Sequence, residues 1–393
     1  MVLLIILIIT EILTILVIRQ HFYEQSWMRF YFFFTINLAL SIWLWILWFE
    51  SSSFNGIYDE AGHIWVLLSL NGMICALVFP RIILIGMHYS GVYARRKTGG
   101  HKRSRTNAGL IIACVIFLIL AFGTFYGRFN LKTDRFTVRI KGLDPDLNGL
   151  KIAQMSDLHL TSFYHQKNRL VKAIDRINSE NPDIILNTGD FITVGWRETG
   201  RNDTILKKAH AKIGRFAVMG NHDFGTYDPY FTPADLDKNV MLMNKFINEC
   251  GFTVLNNESV RVRIGNATLS MLGVITKGSF PNIVYGDVNK ANAGTEGSDL
   301  KILMAHDPNQ WKKDVTGKTD INITFSGHTH GMQIGILTKK FAWSPAKFFY
   351  PQWNGLYREG DQYLVVNRGL GVLAVPFRIW MPPDITIVTL VAE

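Results

Sequence analysis

Five short segments of this 393-residue chain carry side chains suited to holding metal ions. They read Asp157-Leu158-His159, Gly189-Asp190, Gly220-Asn221-His222-Asp223, Ala305-His306-Asp307 and Gly327-His328-Thr329-His330. Together they offer two carboxylates (Asp157, Asp190), one amide oxygen (Asn221) and four imidazoles (His159, His306, His328, His330), with His222 left over. That set suits two divalent cations sharing a bridging carboxylate, an arrangement fitted to cutting phosphate esters. Oxygen and imidazole donors without thiolate point to Mn, Zn or Fe. Each motif alone is weak, since Asp-x-His is commonly a surface pair and Gly-Asp a turn. Five of them in order are a strong signature.

Each segment follows a short apolar run that reads as a strand. These runs are residues 151–156 before Asp157, 183–187 before Asp190, 215–219 before Asn221, 300–305 before His306 and 321–326 before His328. Helical spacing falls at 166–179 (Leu170, Ile174, Ile177), at 204–213 and at 233–250, where Gly251 is a natural stop. Residues 136–140 alternate at period two as an edge strand. Residues 259–264 and 267–274 form a hairpin about Gly265-Asn266, and 362–367 and 385–391 complete the strands. The pattern is α/β. Strands lying side by side put their tips along one edge, where open α/β sheets build their sites. Residues far apart in sequence therefore converge.

These motifs resemble those of the calcineurin-like metallophosphoesterases, in Asp157/His159, Asp190, Asn221/His222/Asp223, His306 and His328/His330. The resemblance runs from about Leu150 to the C-terminus. The segments Asn367-Arg-Gly-Leu-Gly371 and Pro376-Phe-Arg378 to Pro382-Pro-Asp384 look like the membrane-associated bacterial branch of that family. The resemblance implies a four-layer α/β/β/α sandwich. It implies one cation held by Asp157, His159 and His330, a second held by Asn221, His306 and His328, and Asp190 bridging them. His222, beside Asp223, would be proton donor or transition-state contact. Thr193 stands where purple acid phosphatases place a tyrosine ligand, so an iron(III)–tyrosinate site is not expected. Gly331-Met332 follows His330 where relatives often have two glycines, a difference of loop shape only.

The chemistry expected is hydrolysis. Two cations about 3.5–4 Å apart would bind phosphate oxygens and lower the pKa of a bridging water. The hydroxide attacks in line with the leaving oxygen, and charge building on the equatorial oxygens is neutralised by the cations and His222. His222 would protonate the departing alkoxide, with Asp223 orienting its ring. Asp307 and His165 receive no role.

The first 127 residues read as a membrane region. Apolar stretches at 2–18, 30–49, 64–87 and 108–125 each approach or exceed the roughly 17–25 residues needed to span. The first lacks a basic start and a small-residue cleavage site, so it reads as a retained helix. The net charge is +10, half of it in residues 1–128. The mild excess on the remainder fits an anionic substrate or lipid surface and not a nucleic-acid stripe. The loop 86–107 is basic (Arg95, Arg96, Lys97, Lys102, Arg103, Arg105), while 50–63 holds only Glu50, Asp59 and Glu60 as charged residues. Basic loops lie inside, which puts residues 128–393 on the extracytoplasmic side of a cytoplasmic membrane. Glu11 is expected near a helix end or against a neighbouring helix. Arg81 is expected to snorkel to the basic side. The three cysteines allow no disulfide framework or thiolate cluster.

Residues 339–357 pack Phe341, Trp343, Phe348, Phe349, Tyr350, Trp353 and Tyr357 among Lys339, Lys340 and Lys347. This is either a flap over the site edge or a loop that touches the headgroup zone. The full expectation is a membrane region at 1–127, a linker and edge strand at 128–149, and a catalytic domain at 150–393. The activity expected is a membrane-anchored, two-metal phosphohydrolase on a phosphoester or pyrophosphate, with a lipid-linked substrate preferred. The alternatives are a phosphodiesterase on soluble nucleotides or cell-wall polymers, or a non-catalytic membrane sensor.

Overall fold

The computed structural model describes residues 1–23, 25–54, 56–98, 102–278, 282–338 and 340–393. Glu24, Lys339 and the part of the basic loop at 99–101 lie outside the described residues, as do the side chains of Lys102 and Arg103. The chain divides into two compact units. One comprises Met1–Asn55, Val66–Tyr126 and Ala374–Ile379; the other comprises Gly56–Trp65, Gly127–Leu373 and Trp380–Glu393.

The first unit is built on four helices: α1 (Val2–Phe22), α2 (Trp27–Ser51), α3 (Ala61–Thr98) and α4 (Lys102–Phe125). All four are long and apolar enough to cross a membrane. They are apolar around their whole circumference, with Ile12, Phe32, Ile46 and Leu118 more than half exposed. Lipid, not water, suits such faces. Polar groups in α1 are satisfied locally: Thr10 Oγ1 donates to Ile6 O at 2.8 Å and Thr14 Oγ1 to Thr10 O at 2.7 Å. Glu11 faces a neighbouring helix, its Oε2 accepting from Trp45 Nε1 at 3.1 Å. Arg81 does not snorkel. It is buried, and its Nη2 donates to Asn37 Oδ1 at 3.0 Å and Ser41 Oγ at 2.5 Å, mid-way along α2.

The second unit is a two-sheet sandwich. One sheet contains β1 (Lys132–Ile140), β2 (Lys151–Met155), β3 (Ile184–Asn187), β4 (Gly214–Ala217), β5 (Thr253–Val254) and β16 (Asp384–Ala392), in the order β1-β16-β2-β3-β4-β5. The other contains β6 (Glu258–Ile264), β7 (Ala267–Val274), β10 (Leu300–Ala305), β11 (Ile323–Ser326), β14 (Gly355–Glu359) and β15 (Gln362–Val366), in the order β14-β15-β11-β10-β7-β6. Small ribbons pair β8 (Thr276–Lys277) with β9 (Val284–Tyr285) and β12 (Ile336–Leu337) with β13 (Ala342–Trp343). Strand alternation builds the layers. Ile152, Ile184 and Leu186 meet Leu300, Ile302, Met304 and Phe325 between the sheets. Ala153, Met155 and Ile185 face outward, onto Leu170, Ile174 and Ile177 of α5 (Lys167–Ser179) and Met243, Phe246 and Ile247 of α7 (Pro233–Glu249). Leu303 and Ala305 turn onto Val288 and Ala291 of α8 (Val288–Asn292) and onto Trp311. This is a helix–sheet–sheet–helix stack.

Strand direction positions the site. β2, β3 and β4 are mutually parallel, and so are β10 and β11. Every candidate ligand lies within four residues after one of these five strands. The edge strand expected at 136–140 starts four residues earlier, and all nine residues of β1 pair in parallel register with β16. The helix expected at 204–213 is short. Only α6 (Asp203–Leu206) forms, because the backbone beyond it is drawn off by side chains. Asn178 takes the His210 N–H at 2.8 Å and donates to Lys208 O, and Arg215 donates to Ala209 O at 2.8 Å.

Candidate metal centre

The loops after the strands are held in conformations that ordinary side chains avoid. Asp157, His159, Asp190, His328 and His330 all have positive φ, between 38° and 70°. Such strain persists where surrounding packing enforces it, and it gathers at functional sites. Gly189 (φ +100°) and Gly220 allow two of these loops to touch. A Cβ on Gly189 would lie 2.5 Å from Gly220 N, and one on Gly220 would lie 2.2 Å from Asp190 Oδ1.

The convergence forms two groups of ligand atoms, all on buried residues except the partly exposed His328. In the first, His330 Nε2 stands 3.3 Å from Asp157 Oδ1 and 3.1 Å from His159 Nε2. In the second, His306 Nε2 stands 3.0 Å from Asp190 Oδ2 and 3.1 Å from His328 Nδ1. Within each group all ligand atoms lie within 4.8 Å of one another. Asp190 also reaches toward the first group, its Oδ2 3.9 Å from His159 Nε2. Asn221 adds an amide oxygen that is buried without a hydrogen-bond partner, while its Nδ2 donates to Tyr227 Oη at 2.7 Å. A buried acceptor left bare is unfavourable in an apolar surrounding. Its presence fits a cation ligand better than a structural amide.

Outer partners fix the rings. His306 Nδ1 lies 2.7 Å from Thr188 O, which turns Nε2 toward Asp190. His159 Nδ1 lies 3.3 Å from Thr193 Oγ1, and His328 Nε2 lies 2.8 Å from Tyr350 Oη. Such partners set tautomer and orientation in imidazole metal sites.

The electrostatics match a cation site. Burial pushes the Asp157 carboxyl up to about 7, against the pull of His306. Burial also works against the Asp190 anion, but His306 and His222 outweigh it and hold that carboxyl well below its usual range. His306 is drawn down by burial and then raised to about 10 by Asp190. His328 falls to about 4 through burial. Two buried carboxylates among imidazoles call for positive charge.

His222 belongs to this centre, but Asp223 does not orient it. The His222 Nδ1 lies 2.6 Å from Thr193 O, its ring stacks on Tyr227 with centroids 4.0 Å apart, and its N–H donates to Asp190 Oδ1 at 2.9 Å. Asp223 instead receives the N–H groups of Gly220, Asp190, Phe191 and Ile192. Sequence reasoning missed Tyr227 and Glu198, and it named Tyr350 only as part of the aromatic segment at 339–357. Glu198 is buried and takes the Thr193 N–H at 2.8 Å, the N–H groups of Val194 and Gly195, and the Thr161 hydroxyl. Asp307 accepts from Tyr285 Oη at 3.1 Å, and His165 packs against Trp65 and Tyr164. The segment after β15 braces Asp157: Gly371 N donates to Asp157 O at 2.8 Å, and Asn367 Oδ1 takes the Ser156 hydroxyl at 3.0 Å.

Comparison with known proteins agrees with this geometry. Residues 150–332 match the family model for calcineurin-like phosphoesterase. The uncharacterized metallophosphoesterase YkuE of Bacillus subtilis is 29% identical over 66% of this chain and 85% of its own length. The UDP-2,3-diacylglucosamine pyrophosphatase LpxG of Chlamydia muridarum is 28% identical over 67% of this chain and 90% of its own. A transmembrane protein with metallophosphoesterase domain from Danio rerio is 27% identical over 71% of this chain, which spans only 62% of that relative. With its four apolar helices the chain is a membrane protein. It is a phosphoester hydrolase whose residues 150–332 form a calcineurin-like phosphoesterase domain.

Proposed function

We propose that this chain is a membrane-anchored, dinuclear-metal phosphohydrolase that cleaves a lipid-linked phosphoester or pyrophosphate on the extracytoplasmic side of the cytoplasmic membrane. The observation that carries the reading is the meeting of two ligand groups across Asp190, with a bare Asn221 oxygen beside them. In this reading Asp157, His159 and His330 hold one cation, Asn221, His306 and His328 hold the other, and Asp190 serves both. When bound, two divalent cations supply Lewis-acid charge and a water nucleophile of lowered pKa.

The protein's own groups do the rest. His222 donates from Nδ1 to Thr193 O, so Nε2 is the nitrogen left for the departing oxygen, and it passes a proton there when the ring is protonated at both nitrogens. Tyr227 holds the ring by stacking. Asp223 fixes the loop backbone and thereby Asp190.

Three facts support a lipid-linked substrate. The spans tether the hydrolase to a bilayer. The LpxG relative is named for a diacylated sugar nucleotide. Phe341, Phe348 and Phe349 are at least half exposed beside Lys347, a mixture suited to headgroups. In the same segment Trp353 is buried and Tyr350 reaches His328, so only part of it is free to touch lipid. The basic loop at 95–105 supports the orientation.

The test uses the full chain in nanodiscs, with metal content measured alongside turnover. Faster cleavage of a bilayer-embedded lipid pyrophosphate than of its soluble headgroup analogue supports the reading, with activity lost in Asp190→Ala. Equal or better turnover of soluble diesters sinks it in favour of a soluble-substrate phosphodiesterase. A reporter fused after Glu393 that works only in the cytoplasm overturns the orientation.

A further inference from the structure

The helix unit carries an open cavity of about 310 Å³, lined by residues of all four helices. Its walls are apolar, with Leu40, Leu77 and Phe117 among them. Arg81 also lines it, and is only 4% exposed. One guanidinium nitrogen is engaged, Nη2 donating to Asn37 and Ser41. Nε and Nη1 are buried and have no hydrogen-bond partner. Glu11, the acid of α1, accepts from the Trp45 indole through one oxygen and acts on Arg81 only as a nearby charge, with no hydrogen bond to it among the described residues.

A guanidinium keeps its charge under all ordinary conditions. Charged donors in hydrocarbon are costly unless something completes them, and such residues mark functional positions inside membranes. What completes this one must satisfy two constraints together. It must carry a compact acceptor of negative charge to meet the two bare nitrogens. It must otherwise be largely aliphatic, because beside Arg81 the walls carry only Thr14 and Asn37 as polar residues.

We propose that this cavity binds an anionic amphiphile, with a carboxylate or phosphate head at Arg81 and an aliphatic tail along Leu40, Leu77 and Phe117. Asn37, itself on the cavity wall, and Ser41 hold the guanidinium in place. The site is independent of the metal centre and of what is hydrolysed there.

The experiment reads binding alone. The full chain is placed in nanodiscs of neutral phosphatidylcholine doped with oleate, dioleoyl phosphatidate or uncharged dioleoylglycerol, with EDTA present to prevent hydrolysis. The protein is then ejected into a native mass spectrometer and retained lipid is counted. At least one anion should be retained about tenfold or more above dioleoylglycerol. Arg81→Gln should remove that preference. Leu77→Trp, which fills the cavity and leaves Arg81 intact, should also cut retention, and it carries the test if Arg81→Gln does not fold. Preference for phosphatidate over oleate assigns a phosphate head, and the reverse assigns a carboxylate. Equal retention of charged and uncharged lipid, or anion retention unchanged in Leu77→Trp, overturns the proposal.

Discussion

The Asp223 carboxylate accepts the backbone N–H of Asp190 at 2.8 Å, and so fixes a candidate ligand through its main chain and not through its side chain. Its two oxygens take three further N–H groups, from Gly220, Phe191 and Ile192. Replacing Asp223 by Ala strands four buried donors. At about 1–3 kcal/mol per stranded group, the loss is roughly 4 kcal/mol or more. Asp223→Ala should therefore lower the melting temperature and the bound metal together. Normal metal content with only slower turnover would contradict this scaffold role.

His222 should behave in the opposite way. It touches the centre through its ring, and the loop it sits on is held by Asp223. His222→Gln should keep its metal and its melting temperature, and lose about 10²–10⁴-fold in kcat on bis-p-nitrophenyl phosphate. Loss of metal equal to that of Asp223→Ala would remove the proton-transfer role.

Asn221 separates stability from metal binding. Its bare buried oxygen weakens the metal-free protein by about 1–3 kcal/mol. Asn221→Leu, of similar volume, should melt at the same or a higher temperature than the parent in chelator. It should also bind the second metal at least about 100-fold more weakly. Metal titration with melting curves, each with and without chelator, checks both halves. A variant that binds metal normally shows that Asn221 is no ligand.

Much of this architecture could be read from residue order alone. Apolar runs ending in Asp157, Asp190, Asn221, His306 and His328 mark parallel strand ends, because only buried strands sustain such runs. What could not be read is direction. His222 and Asp223 are adjacent, and adjacency suggested a pair. They lie in one tight turn (Asn221–Phe224) that sends the ring to Thr193 O and the carboxylate to backbone amides. Arg81 shows the same limit: its span was evident, but whether it snorkelled or turned inward depended on Asn37 and Ser41 of another helix. The helix that stops at Leu206 was lost to Asn178 and Arg215, partners no local pattern reveals.

Glu198 makes stability depend on pH. Burial pushes its carboxyl up to about 7, above an ordinary glutamate, even though three backbone N–H groups and Thr161 favour the anion. The folded form thus keeps a proton that the unfolded form has released. The associated stability is full below about 4.5 and lost as pH rises toward about 7. Glu198→Gln cannot titrate. The parent should exceed it most at acid pH, and the gap should narrow by up to about 3 kcal/mol as pH rises to 8. A gap that widens with pH would reverse the sign and refute the assignment.

Asp59 lies between α2 and α3 in sequence, yet it belongs to the same compact unit as the metal centre. It is fully buried, and its carboxylate takes Arg197 Nη1 at 2.8 Å and Arg197 N at 3.2 Å. Its neighbour Tyr58 stacks on Tyr230 with centroids 5.1 Å apart. Arg197 adjoins Glu198, and Glu198 holds the Thr193 backbone whose carbonyl faces His222. Asp59 is therefore expected to act as a positioning residue, three contacts removed from the chemistry. Asp59→Ala and Arg197→Ala should couple by about 0.5–3 kcal/mol in a double-mutant cycle, toward the lower end because the Arg197 side chain is 37% exposed. Asp59→Ala should also lower kcat on bis-p-nitrophenyl phosphate while leaving bound metal unchanged, and Asp59→Glu should restore part of it. Additive single effects with unaltered kcat would leave Asp59 as a local structural ion pair.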